Sequence, residues 1–213
     1  LMDIPVHLKN ALIATEDKRF FRHKGFDTRS YFRVFLKSIM LGDKSGGGGS
    51  TLTQQLVKNL YGRNDYGFIS MPVNKIKEII IATRIEQVYS KDEVLLLYLN
   101  SVPFGEDVYG VETAAHRYFN KSTRDLRIEE SAVLVGLLKA NTYFNPRLNP
   151  ENSLARRNMV FRQMEVEHYI TAREAAQLRQ LPLKLNYENL ATESPAGYFV
   201  QQVKVKTLQL IKS

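Results

Sequence analysis

The chain has 213 residues, 44% of them hydrophobic and 24% charged, which is enough apolar side chain for a packed core and excludes wholesale disorder. The absence of Cys removes a disulfide scaffold, a zinc-thiolate site, an iron–sulfur cluster and a cysteine nucleophile together. With 30 Lys+Arg against 22 Asp+Glu the net charge is +8, which suits nucleic acid, an acidic lipid surface or a phosphorylated substrate, and equally a plain basic domain.

Helical periodicity dominates from the start. Residues 2–15 carry Leu, Ile, Ala and Val at three-to-four spacing and predict a helix that runs into the polar stretch Glu16-Asp17-Lys18-Arg19. The segment that begins at Tyr31 and ends at Leu41 is apolar nearly all round, interrupted by Arg33 and Lys37, which share one helical face. Such a stripe suits a membrane interface or a core helix with snorkelling cations. The glycine run 46–49 has the composition of a flexible linker but leads into Thr51-Leu52-Thr53-Gln54, the spacing of a capping box. A helix is therefore predicted there, its free N–H groups able to close on an anion, without the Gly-Lys-Ser/Thr ending of a P-loop.

Residues 64–73 read as a loop. The next predicted helix covers 75–89, with Ile76, Ile79, Ile80 and Thr83 on one face and Lys75, Glu78, Ala82 and Glu86 on its neighbour. Ser90-Lys91-Asp92-Glu93 is a second capping box, opening a helix through Asn100 that Pro103 and Gly105 end. Further helices are predicted at 110–118, 128–139, 152–168 and 172–179, the last capped by the Thr171/Glu174 pair. Only weak extended stretches near the C-terminus resemble strands, and there is no internal repeat. The longest apolar run, 132–138, is far short of the ~20 residues that span a bilayer. With no signal-peptide pattern after Leu1-Met2 and an abrupt stop at Ser213, the chain reads as an excised piece.

Carboxylates are the best candidates for chemistry. His7, His23, His116 and His168 lack ligand spacing, and no Gly-x-Ser-x-Gly elbow is present. Glu16 sits where a helix enters an aromatic-rich turn, so burial against Phe20 or Phe21 would raise its pKa toward a working acid/base value. A surface ion pair with Lys18 or Arg19 is the default for such a residue. Glu78 shares a helix face with Lys75, where an ordinary i,i+3 pair is the default. Together with the glycine-rich stretch, Gln54, Gln55, Lys58, Lys75 and the Arg156-Arg157 pair, these glutamates describe a site for a phosphorylated sugar.

The stretch Glu16-Asp17-Lys18-Arg19-Phe20-Phe21-Arg22-His23-Lys24-Gly25 resembles the EDxxFxxHxG motif of the peptidoglycan glycosyltransferases, the polymerising domain of class A penicillin-binding proteins. Gly49-Ser50-Thr51-Leu52-Thr53-Gln54-Gln55-Leu56-Val57-Lys58-Asn59 resembles their GSTxTQQxxKN motif. Lys75 to Glu78 resembles the KxxE of the third motif, 91–100 the fourth and 156–160 the fifth, in family order. The chain departs from the pattern at Asn74, where relatives carry Arg, so that one phosphate contact is expected to move to Arg63 or Arg84.

The resemblance implies a mainly α fold, a lysozyme-like head lobe with a smaller membrane-associating jaw. Residues 1–185 would form the glycosyltransferase domain, with the jaw at about 27–48 and the segment 31–41 on the membrane. Residues 186–213 would be an extension leading toward a transpeptidase domain. It further implies polymerisation of lipid II onto a growing glycan strand at the outer face of the bacterial cytoplasmic membrane, inhibition by moenomycin, and no nucleic-acid partner. Glu16 and Glu78 would be catalytic, Glu78 also a ligand to Mg²⁺ or Mn²⁺. Ser50, Thr51, Gln54, Gln55, Lys58, Lys75, Asn100 and Arg156 would bind substrate. A lysozyme-like hydrolase and a basic nucleic-acid-binding module are the competing readings.

Overall fold

The computed structural model describes residues 4–32 and 49–188. Among these residues the fold is mainly α, with one isolated bridge between Pro103 and Tyr109 and no strand. The helices are α1 (Val6–Glu16), α2 (Leu52–Tyr61), α3 (Ser70–Val88), α4 (Lys91–Ser101), α5 (Val111–Phe119), α6 (Ile128–Leu137), α7 (Pro150–Val166) and α8 (Ala172–Gln180). No described helix is long and apolar enough to cross a membrane.

Two packing groups share one core. In the first, α6 is buried on every side from Ser131 to Leu137 and packs on α7, while α1 lies on both. Leu8, Ala11, Leu12 and Ile13 of α1 are almost fully buried there. Burial of such side chains contributes about 1.5–3 kcal/mol each, which fixes the end of α1 where Glu16 stands. In the second group α2 packs between α3 and α4, with Leu52, Leu56, Val94, Leu95, Tyr98 and Leu99 inside.

The helix starts follow local chemistry. Ser90 with Glu93 and Thr171 with Glu174 form the reciprocal capping boxes that the sequence predicts. At α2 only half of the predicted box forms. Thr51 accepts from the Gln54 amide, but the Gln54 side chain turns away to the Gly25 carbonyl. Pro150 opens α7 two residues before the predicted start, because proline fits a first turn that lacks N–H partners. The predicted loop 64–73 is largely structured: Gly67–Ile69 is a 3-10 turn and α3 begins at Ser70. Asn74 makes this possible by donating to the Asn64 and Ser70 carbonyls and accepting from the Asn64 amide.

α3 buries Asn74, Glu78 and Ala82, so its polar face points inward. Ile76 and Ile80 on the neighbouring face are about half exposed, and Phe68 and Met71 beside them lie open to solvent. The extended stretches expected near the C-terminus lie mostly outside the described residues, as does nearly all of the 31–41 segment. Of that segment, Tyr31 is tied inward: its ring packs on Phe26 and its hydroxyl donates to Gln54 at 3.4 Å.

Candidate active site

The first and second motif stretches are clasped to each other at the start of α2. Asp17, buried just after α1, accepts from the Leu52 amide at 2.9 Å and from His23 Nε2 at 2.9 Å. A carboxylate on the first free amides of a helix satisfies a donor and complements the dipole. His23 then presents Nδ1 to Lys91 at 3.5 Å, and Lys91 pairs with Glu86 at 2.7 Å. Glu86 in turn accepts from Thr53 of α2. The second clasp is the Gly25 carbonyl, which accepts from the Thr51 hydroxyl at 2.7 Å and from the Gln54 amide at 3.3 Å. Gly25 has φ +78, and a Cβ there would lie 2.6 Å from the backbone of Ala82 in α3. Only glycine lets the turn seat against that helix.

Thr51 and Gln54, expected at the substrate, are buried, and both hold the turn at Gly25 to α2.

Glu16 ends α1 with its side chain about 13% exposed. Gln55 of α2 donates Nε2–H to Glu16 Oε2 at 3.1 Å, and Tyr98 of α4 donates its hydroxyl to Gln55 Oε1 at 3.1 Å. On the other oxygen, Arg156 Nη2 of α7 stands 3.7 Å from Glu16 Oε1. Burial draws the Arg156 guanidinium below its ordinary value, and the Glu16 charge partly offsets that. Its Nε is buried with no partner among the described residues, and the group lies 5.7 Å from the Phe144 ring. Gly136 of α6 makes room for it, since a Cβ there would meet Arg156 Cγ at 3.0 Å. The lysine and arginine that follow Glu16 are occupied elsewhere, Lys18 with Glu167 and Arg19 with Asp27. Phe21, expected to bury Glu16, is half exposed, and Phe20 is a core residue.

Glu78 has a different environment. Its oxygens accept from Arg63 Nε at 2.9 Å and Lys75 Nζ at 2.8 Å. Burial alone would raise its pKa, but the hydrogen bonds from Arg63 and Lys75 outweigh it and hold the carboxyl below the ordinary range. Lys75 also donates to the Ser50 hydroxyl at 2.9 Å, just before α2, and lies 5.8 Å from the Tyr31 ring. Arg63 thus reaches this cluster, while Asn74 staples the preceding turn. Arg84 is exposed. As a ligand for a divalent cation Glu78 does not fit: each oxygen already faces a cation, and no group of three His, Cys, Asp or Glu converges among the described residues.

The remaining expected residues are apart from these clusters. Lys58 is exposed in the last turn of α2 and pairs with no described carboxylate. Asn100 is exposed and lies two residues beyond Tyr98, so its side chain leaves the opposite side of α4. Its carbonyl packs on Gly110, where a Cβ would stand 2.9 Å away. Arg157, next to Arg156, is buried and donates to the carbonyls of Arg179 and Pro182, a structural role. Sequence reasoning missed Tyr98 and the task of Asp17. A tyrosine on the otherwise leucine-rich core side of α4 was the available signal, because a buried hydroxyl requires a partner.

A family profile described as Transglycosylase matches residues 1–165. The chain belongs to the transglycosylase family. This is the glycosyltransferase domain of class A penicillin-binding proteins. The chain is 42% identical over 189 residues to penicillin-binding protein 1F of Bacillus subtilis (strain 168), an alignment covering 88% of this chain and 26% of that protein. It is 39% identical over 204 residues to penicillin-binding protein 1A of Escherichia coli (strain K12), covering 96% and 23%. The chain therefore spans about a quarter of the length of the curated relatives it matches. Penicillin-binding protein 1A from Haemophilus influenzae has the same fold, with a TM-score of 0.53 at 24% identity over 97% of this chain and 20% of that one. The mainly helical architecture agrees with a lysozyme-like head lobe.

Proposed function

We propose that this domain polymerises lipid II, a disaccharide-pentapeptide on undecaprenyl pyrophosphate, into glycan strands for cell-wall synthesis. The observation that carries the reading is the contrast between the two glutamates. Glu78 has a cation on each oxygen, whereas Glu16 has a neutral amide on one oxygen and a cation no nearer than 3.7 Å to the other. The first arrangement suits a carboxylate that positions Lys75, the second one that accepts a proton.

In this mechanism Glu16 Oε1 takes the proton from the 4-hydroxyl of the incoming lipid II. That oxygen attacks the anomeric carbon of the growing strand, the bond from that carbon to the pyrophosphate oxygen breaks, and undecaprenyl pyrophosphate departs with inversion. General-base catalysis of this kind contributes about 100- to 10,000-fold. Lys75, held by Glu78 and Ser50, meets the charge that develops on the leaving group, with Arg156 and the exposed Lys58 as further cations. No step requires a metal ion at Glu78.

The reading includes a position at the outer face of the cytoplasmic membrane and, in the full-length protein, a companion transpeptidase domain. Membrane contact is supported by Phe32 at the start of the 31–41 segment and by the outer face of α3, where Phe68, Met71, Ile76 and Ile80 are exposed. Fluorescent lipid II in detergent should give a ladder of glycan strands on a gel, and moenomycin should suppress it. Lys75→Ala should weaken moenomycin binding by about tenfold or more, the loss of a charged hydrogen bond. Release of reducing ends from finished glycan without strand growth would instead establish a hydrolase.

A further inference from the structure

The chain of hydrogen bonds that ends on Glu16 has a fixed direction. Tyr98 is about 1% exposed, and burial, with the charge of Glu16 behind it, pushes its phenol well above the ordinary tyrosine range. Its hydroxyl therefore keeps its proton, and the acceptor that faces it is Gln55 Oε1 at 3.1 Å. Gln55 receives that donor on Oε1, so its amide nitrogen must face Glu16. Without the hydroxyl, the amide loses the contact that pins its orientation and can turn its oxygen toward the carboxylate, where the two would repel.

We propose that Tyr98 is a positioning residue for the reaction: through Gln55 it fixes Glu16 Oε2 and leaves Oε1 as the oxygen that takes the proton. This rests on the reading of Glu16 as the base. The three residues come from three elements, α4, α2 and α1, which the core holds independently, so the geometry is set before substrate arrives. The route also accounts for a polar hydroxyl on the core side of α4, where Val94, Leu95 and Leu99 otherwise supply only apolar surface.

The test compares wild type, Tyr98→Phe, Gln55→Met and the double variant. Tyr98→Phe keeps the ring and the helix, so circular dichroism should be unchanged. In steady-state lipid II polymerisation its kcat should fall about 5- to 10-fold, the worth of one hydrogen bond, with KM within about twofold of wild type. Gln55→Met should lose more, and the double variant should match Gln55→Met alone, since Tyr98 acts only through Gln55. The side-chain amide resonances of Gln55, assigned by their absence in Gln55→Met, give a readout that does not depend on turnover. In wild type the proton bonded to Glu16 should be shifted downfield, and in Tyr98→Phe it should move toward the free-amide position. An unaltered kcat and amide signal in Tyr98→Phe, or losses that simply add in the double variant, would overturn the proposal. An inactive wild type would contradict the lipid II reading, while the Gln55 signal would still decide whether Tyr98 fixes the amide.

Discussion

Two residues side by side in the sequence divide the labour at the centre of this fold. Glu16 ends α1 and is left with one loosely held oxygen, whereas Asp17 turns inward and gives both of its oxygens to His23 and one of them also to Leu52. Asp17→Asn keeps the shape but removes the charge from the start of α2 and puts an amide donor against His23. It should cost about 1–2 kcal/mol in thermal or urea unfolding. An unchanged melting temperature would mean that the clasp is idle. Glu78 supplies a pH prediction. Its folded pKa is held below the ordinary glutamate value of 4.5, so the stability it contributes is complete above that value and is lost as pH falls through the lowered one. Urea unfolding of wild type should weaken below about pH 4.5, and Glu78→Gln should remove part of that slope. Parallel pH profiles for the two proteins would show that the Arg63–Glu78–Lys75 cluster adds nothing to stability.

At the scale of elements, the tightest constraint is the seat of the Gly25 turn on α3. Gly25→Ala would place a methyl 2.6 Å from the Ala82 backbone at φ +78, and should destabilise the domain by about 3 kcal/mol. A loss below about 1 kcal/mol would mean that the turn can move. The outer face of α3 predicts the opposite behaviour. Ile76→Ser with Ile80→Ser removes exposed apolar surface, so unfolding free energy should stay within about 0.5 kcal/mol while liposome binding falls. Equal liposome binding would remove this face from the membrane. The same elements show what a sequence conveys. The boxes at Ser90 and Thr171 are local, read from spacing alone, and they form as read. The half-box at Thr51 does not, because Gln54 has a better partner in the Gly25 carbonyl, 29 residues away in sequence. The start of α3 at Ser70 was illegible for a related reason: Asn74 rescues the turn by hydrogen bonds that no propensity contains. Glu16 and Lys75 stand out in the sequence through motif resemblance, whereas the contact of Tyr98 with Gln55 and that of Arg63 with Glu78 depend on which helices pack together.

For the whole molecule, the clasp at Asp17 and Gly25 joins the α1–α6–α7 group to the α2–α3–α4 group, and the two glutamates stand on either side of that joint. Glu16 takes its partners from α2 and α7, Glu78 from α3 itself and from the stretch after α2. Arg156, Lys75 and Arg63 place positive charge beside both, which suits the pyrophosphate-bearing substrate proposed for this domain. Membership in the transglycosylase family accounts for the motif order, and the proposed division between an acting and a positioning glutamate rests on their different partners. That division is the central claim. The most direct measurement is steady-state lipid II polymerisation by wild type, Glu16→Gln and Glu78→Gln, with moenomycin affinity measured on the same preparations. Glu16→Gln should lower kcat by about 100- to 10,000-fold and leave moenomycin binding nearly intact. Glu78→Gln should keep a measurable kcat but weaken moenomycin and raise KM, because Lys75 loses its anchor. A Glu16→Gln enzyme that still builds strands, or a Glu78→Gln enzyme that binds moenomycin normally yet cannot turn over, would reverse the roles and contradict the account.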